Sequence, residues 1–70
     1  MKIENIRYVL KIDGTEETLY LTPDYGFDSD IREALMAKSI IAAKFIRSHF
    51  RQKYQCDFDI MSLKVTYEWE

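Results

Sequence analysis

Residues 32–50 read REALMAKSIIAAKFIRSHF. Ala, Leu, Met and Lys are strong helix formers, and no proline or glycine interrupts the run. The segment therefore predicts a helix, extended by Asp28 or Asp30 as N-cap and by the basic residues at its far end to about 29–53. At 100° per residue, Ile31, Leu35, Ile41, Ala42, Phe45 and Ile46 gather on one side, with Ala34 beside them. This side is expected to cover a sheet. The opposite side carries Met36, Ile40, Ala43, Arg47, Phe50 and Tyr54. Their 4, 3, 4, 3, 4 spacing resembles the seam of a coiled coil. One helix on one small sheet needs only one apolar stripe. The second is expected to be a protein interface, since Met, Phe, Tyr and Arg are enriched at interface cores.

Working outward, residues 3–12 (IENIRYVLKI) alternate with the period of a half-buried strand, Ile6, Tyr8, Leu10 and Ile12 on one face. Asp13-Gly14 signals a hairpin, and residues 16–22 (EETLYLT) form the returning strand that Pro23 ends. The stretch DYGFDSD, residues 24–30, breaks regular structure. Residues 56–69 are strand again with a change of parity: Cys56, Phe58 and Ile60 alternate on even positions, Met61, Leu63, Val65, Tyr67 and Trp69 on odd ones. Such a switch predicts a bulge or a break between Ile60 and Met61. The expected fold is α+β: a single β-β-α-β domain spanning residues 1–70, with a three-stranded antiparallel sheet of order 2-1-3 and one long helix on one face. Ile6, Tyr8, Leu10, Leu19, Leu21, Leu63 and Val65 are the residues expected beneath the helix.

Seventy residues bury a small core, so a chain of this size gains from an external helper. A single cysteine, Cys56, excludes an intrachain disulfide, and a single histidine, His49, argues against a structural zinc site. Oligomerisation is the remaining helper. No run is apolar enough for a membrane span, and an unpaired cysteine without a signal peptide points to the cytoplasm. The net charge of −2 hides a polarity. Residues 32–53 hold six Lys/Arg against Glu33 alone, whereas eleven of the twelve acids lie elsewhere. Basic residues near one helix end and acids near the other would oppose unlike charges in an antiparallel pair of helices, so the second stripe is expected to join two copies.

The sheet face away from the helix is expected to carry Arg7, Val9, Lys11, Thr18, Tyr20, Thr22, Lys64 and Thr66. Arg7, Lys11, Tyr20 and Lys64 make it the alternative site, for nucleic acid, by phosphate contact and stacking. The basic helix stripe Lys44, Arg47 and Arg51 is a second such candidate. Catalytic signatures are lacking. Cys56 lies on an apolar alternation and reads as a buried, inert thiol. DYGFDSD fails the calcium-loop pattern for want of the glycine and the bidentate glutamate. No catalytic residue, metal ligand or cofactor is expected. The functional expectation is a small non-enzymatic protein-binding module, a regulator, adaptor or inhibitor of a larger protein, that works as a homodimer through its outer helix face.

Overall fold

A computed structural model describes residues 1–70. Four strands, β1 (Lys2–Asp13), β2 (Thr18–Leu21), β3 (Phe27–Asp28) and β4 (Asp59–Glu68), form one antiparallel sheet of order β3-β2-β1-β4. One helix, α1 (Ile40–Tyr54), packs on one face. The α+β class and the central pairing of the first strand with both the second and the last agree with the sequence. The strand count does not: DYGFDSD contributes β3. The chain turns back on itself there because Tyr25 adopts a left-handed φ of 65°. Thr22 N–H donates to the Gly26 carbonyl (3.0 Å), and the Thr22 hydroxyl donates to Asp24 while accepting from Gly26 N–H. That turn brings Leu21 opposite Phe27 and Tyr20 opposite Asp28.

The helix starts about eleven residues later than its propensity implies. Asp30 caps only a short 3₁₀ turn, Ile31–Glu33, and Ser39 is the N-cap of α1, accepting from Ala42 N–H at 3.1 Å. The intervening residues are claimed by the sheet. Leu35 N–H donates to the Leu21 carbonyl (2.8 Å), and Tyr8 and Ala37 exchange two backbone bonds (2.9 and 2.8 Å). Residues 35–37 thus close the flank of β1 where β2 has already ended, satisfying backbone groups that would otherwise lie bare beside the core. Gln55, left-handed at φ 54°, terminates α1.

β1 and β4 pair without a bulge, in one register from Lys2↔Glu68 to Lys11↔Asp59. The parity change at Ile60–Met61 is therefore resolved differently from the sequence expectation: the strand stays regular and the apolar side chains change face. Leu10 lies opposite Ile60 on the helix side, whereas Val9 lies opposite Met61 and Arg7 opposite Leu63 on the other. Leu63 and Val65 are consequently not beneath the helix, and Lys64 and Thr66 are not on the open face. The helix-side core consists of Leu10, Leu21, Ala37, Ala43, Phe50 and Phe58, with Tyr8, Ile12, Leu35, Ile46, Tyr54 and Ile60 packed around it.

Candidate functional site: the outer helix face

The two helix faces are largely the reverse of those expected, with Ile46 alone of the expected inner side of α1 packed against the core. Ala43 is fully buried and Phe50 is 4% exposed, while Ile41 and Phe45 are each 78% exposed. Of the six residues read as an interface, Ala43 and Phe50 face the core. Arg47 and Tyr54 are half-buried, and Ile40 and Met36 lie exposed, at its margin and in the preceding extended segment. The stripe is thus divided: its middle and C-terminal part turns toward the core, and its start lies outside α1 or at its exposed margin. Ile31, Ala34 and Leu35 lent weight to the opposite stripe only if the helix reached them, and it does not. Ala43 marks the contact instead: without a large side chain, the helix axis comes close to β1.

Phe50 and Tyr54 anchor an aromatic cluster that DYGFDSD completes. Tyr25 packs on Phe50 at 5.2 Å between ring centroids, and Phe27 lies edge-on to Tyr54 (5.4 Å) and stacked on Phe58 (6.0 Å). The Tyr54 hydroxyl donates to the Tyr25 carbonyl at 2.9 Å. These contacts pin the loop to the helix C-terminus. The loop's aromatic residues hold the fold together as well as remaining partly exposed.

The free side of α1 now defines the candidate site. Ile41 and Phe45 stand one turn apart, with Lys44, Ser48, His49 and Gln52 around them. Phe45 and His49 also form one wall of an adjoining cleft of about 480 Å³, lined further by Tyr25, Leu35, Ile46 and Lys53. Ridge and cleft together present an apolar surface with Lys44 and Lys53 at its margin, while Arg47 is half-buried in a separate groove beside Tyr8 and Asp59. The helix contains Lys44, Arg47, Arg51 and Lys53 and no acid. Arg51 is paired with Asp57 (3.0 Å). Lys53 lies over the rings of Tyr54 (5.4 Å) and Phe50 (5.9 Å). Lys44 and Arg47 make no ion pair.

The nucleic-acid set is split by the register. Arg7, Lys11 and Tyr20 share the face opposite the helix, Lys11 directly across from Tyr20. Lys64 lies opposite Ile6 on the helix side, a correction that follows from the unbulged strand. Two of the cations are already engaged: Lys11 with Asp13 (3.2 Å) and Lys64 with Glu4 (3.0 Å). The face away from the helix is instead substantially apolar, carrying Ile3, Met61, Leu63, Val65 and Tyr67 around a fully buried Val9.

Cys56 is exposed, not buried, because β4 begins at Asp59 and the thiol lies in the connection after α1. Its thiol donates to the Tyr54 carbonyl at 3.3 Å. No group of three or more His, Cys, Asp or Glu side chains is arranged to hold a metal ion. No helix is long and apolar enough to cross a membrane. Comparison with protein-family models, with curated proteins and with solved structures finds no match for the chain.

Proposed function

We propose that the protein is a non-enzymatic protein-binding module, a regulator, adaptor or inhibitor, whose α1 outer face docks an acidic, partly apolar segment of another protein. The observation that carries this reading is the exposure of Ile41 and Phe45 at 78% each on a helix with four basic residues and no acid. Exposed large apolar side chains beside a cleft are the anchors a partner buries, and a basic rim selects and steers a negatively charged one. The same charges disfavour the helix-to-helix homodimer expected from the sequence. That pairing drew on acids at the helix start, and those acids lie before Ser39, outside α1. Two copies joined by these faces would set like charges together. An unpaired, exposed Cys56 suits a reducing compartment, and the cytoplasm is the proposed location.

The test compares wild type with Ile41→Glu/Phe45→Glu as bait in native cell extract, at low and high salt. A specific protein retained by wild type, released by salt and absent from the variant is the expected result, with the two proteins melting alike. Identical retention by both would overturn the reading. Nucleic-acid binding is the alternative, supported by the same run of helix cations. It predicts salt-sensitive binding of single-stranded DNA or RNA that survives loss of Ile41 and Phe45.

A further inference from the structure

The outer edge of β4 is a bare strand edge. Trp69 N–H donates to the Met1 carbonyl, so odd-numbered residues of this strand turn their backbone groups toward β1. The even-numbered ones, Ile60, Ser62, Lys64, Thr66 and Glu68, turn theirs outward and bond to nothing. Strand edges are ordinarily protected by shortness, proline, bulges or several lysines. β4 has ten residues, no proline, an unbroken register and one lysine.

The ribbon made by Lys2–Arg7 and Leu63–Glu68 lacks further support. β2 pairs only with Lys11–Asp13, and Ala37 reaches no farther than Tyr8. A two-stranded ribbon without a third strand or a helix is marginal in water. Yet this one bears three of the exposed large apolar residues, Ile3, Ile6 and Tyr67, with Met1 and Trp69 just beyond its end.

We propose that a second copy of the chain supplies the missing strand, β4 pairing antiparallel with β4 of the partner about a two-fold axis at Val65, to make one continuous sheet. A two-fold axis perpendicular to the sheet permits only registers that match residues on the same face. Centring on Lys64 would set two lysines directly opposite each other, which disfavours that register. Centring on Val65 sets Leu63 opposite Tyr67, Met61 opposite Trp69, Lys64 opposite Thr66 and Ser62 opposite Glu68. Each apolar residue that β4 and Trp69 put on the open face then meets an apolar or aromatic one, and no like charges oppose. The other bare edge, on β1, offers only Lys2, Glu4 and Ile6 before Ala37 covers Tyr8. Pairing β1 to β4 would be heterologous and leave edges free to propagate. This association uses a surface separate from α1 and stands whether or not the helix face binds a partner.

Cysteine cross-linking in a Cys56→Ser background tests both the partner and the register. Across the axis, two copies of residue 65 form a pair without direct hydrogen bonds, their Cα atoms about 4.5 Å apart and within disulfide range. Two copies of residue 63 would lie roughly 13 Å apart along the strands. Val65→Cys is expected to form covalent dimers under mild oxidation and Leu63→Cys to remain monomeric. Cross-linking of Leu63→Cys, or of neither, would overturn the proposal. Thr66→Pro removes an outward N–H only, so it is expected to convert a dimer seen by light scattering into a folded monomer. A Thr66→Pro dimer, or a wild type that stays monomeric at millimolar concentration, would also overturn it. Should Thr66→Pro fail to fold, the cysteine pair decides.

Discussion

Phe45 and Phe50 are identical side chains five residues apart on one helix, and their environments are opposite. Phe50 is 4% exposed within the core, and Phe45 is 78% exposed. Truncating Phe50 to alanine removes buried area and leaves a cavity, at a cost of about 3–5 kcal/mol. Phe45→Ala is expected to change stability by no more than about 0.5 kcal/mol, as surface substitutions do. Urea denaturation of the two variants measures the difference directly; similar costs would mean that α1 does not sit as described. A second residue-scale prediction concerns acid. The Thr22 hydroxyl, followed by Gly26 N–H, holds the Asp24 carboxyl below its ordinary value of 3.8. The fold favours the ionised form, so this contribution is complete above the ordinary value and is lost as pH falls through the lowered one. Thr22→Val keeps the buried shape and removes the donor. The Asp24 titration midpoint, followed by NMR, is expected to rise toward 3.8, and an unmoved midpoint would remove Thr22 as the cause.

At the scale of elements, the start of α1 separates propensity from position. Ala34, Leu35, Met36 and Ala37 are good helix formers held in extended structure, because two backbone bonds to Tyr8 and one to Leu21 close the sheet's flank. Nothing local in the sequence encodes the premature end of β2 that creates that vacancy, so the early helix start was the natural reading. Ser39, the cap that α1 uses, lies inside the run read as continuous helix. Ser39→Ala is expected to cost about 0.5–2 kcal/mol and to fray the first turn, seen as lost helical signal. No loss would mean that another group satisfies those N–H donors. The first hairpin was legible, though for a different physical reason. Gly14 does not use a positive φ; a Cβ there would lie 2.8 Å from the Glu17 carbonyl oxygen, which accepts its N–H. Gly14→Ala is therefore expected to destabilise the β1–β2 connection through that clash. The parity change at Ile60–Met61 was visible as well. Its outcome, a straight strand with two apolar faces, depended on β1 offering Val9 and Ile3 to one face and Leu10 and Tyr8 to the other.

The whole molecule is longer than its chain length requires. Its Cα radius of gyration is 13.0 Å and its extents are 45 × 28 × 19 Å, against about 11 Å for the radius of a compact domain of this size. The excess comes from the β1–β4 ribbon, which carries the strand pairing beyond the reach of β2 and α1. Only nine of 70 residues are buried, so little of the fold's stability is lodged in the ribbon's far half. Amide exchange reads the consequence residue by residue. In a monomer, odd-numbered amides of β4 donate to β1 and gain protection, while those of Ser62, Lys64, Thr66 and Glu68 point outward and exchange freely. When a second β4 pairs with the first, the even-numbered amides acquire acceptors too, and the ribbon stops fraying. Dilution through the dimer's dissociation range is therefore expected to speed exchange at Ser62, Lys64, Thr66 and Glu68 far more than at Leu10, which lies in the α1-side core of each copy. Equal acceleration at all these positions would mean that dilution unfolds the protein instead of separating two edges. Concentration-independent exchange at the even positions would mean that the edge of β4 stays bare.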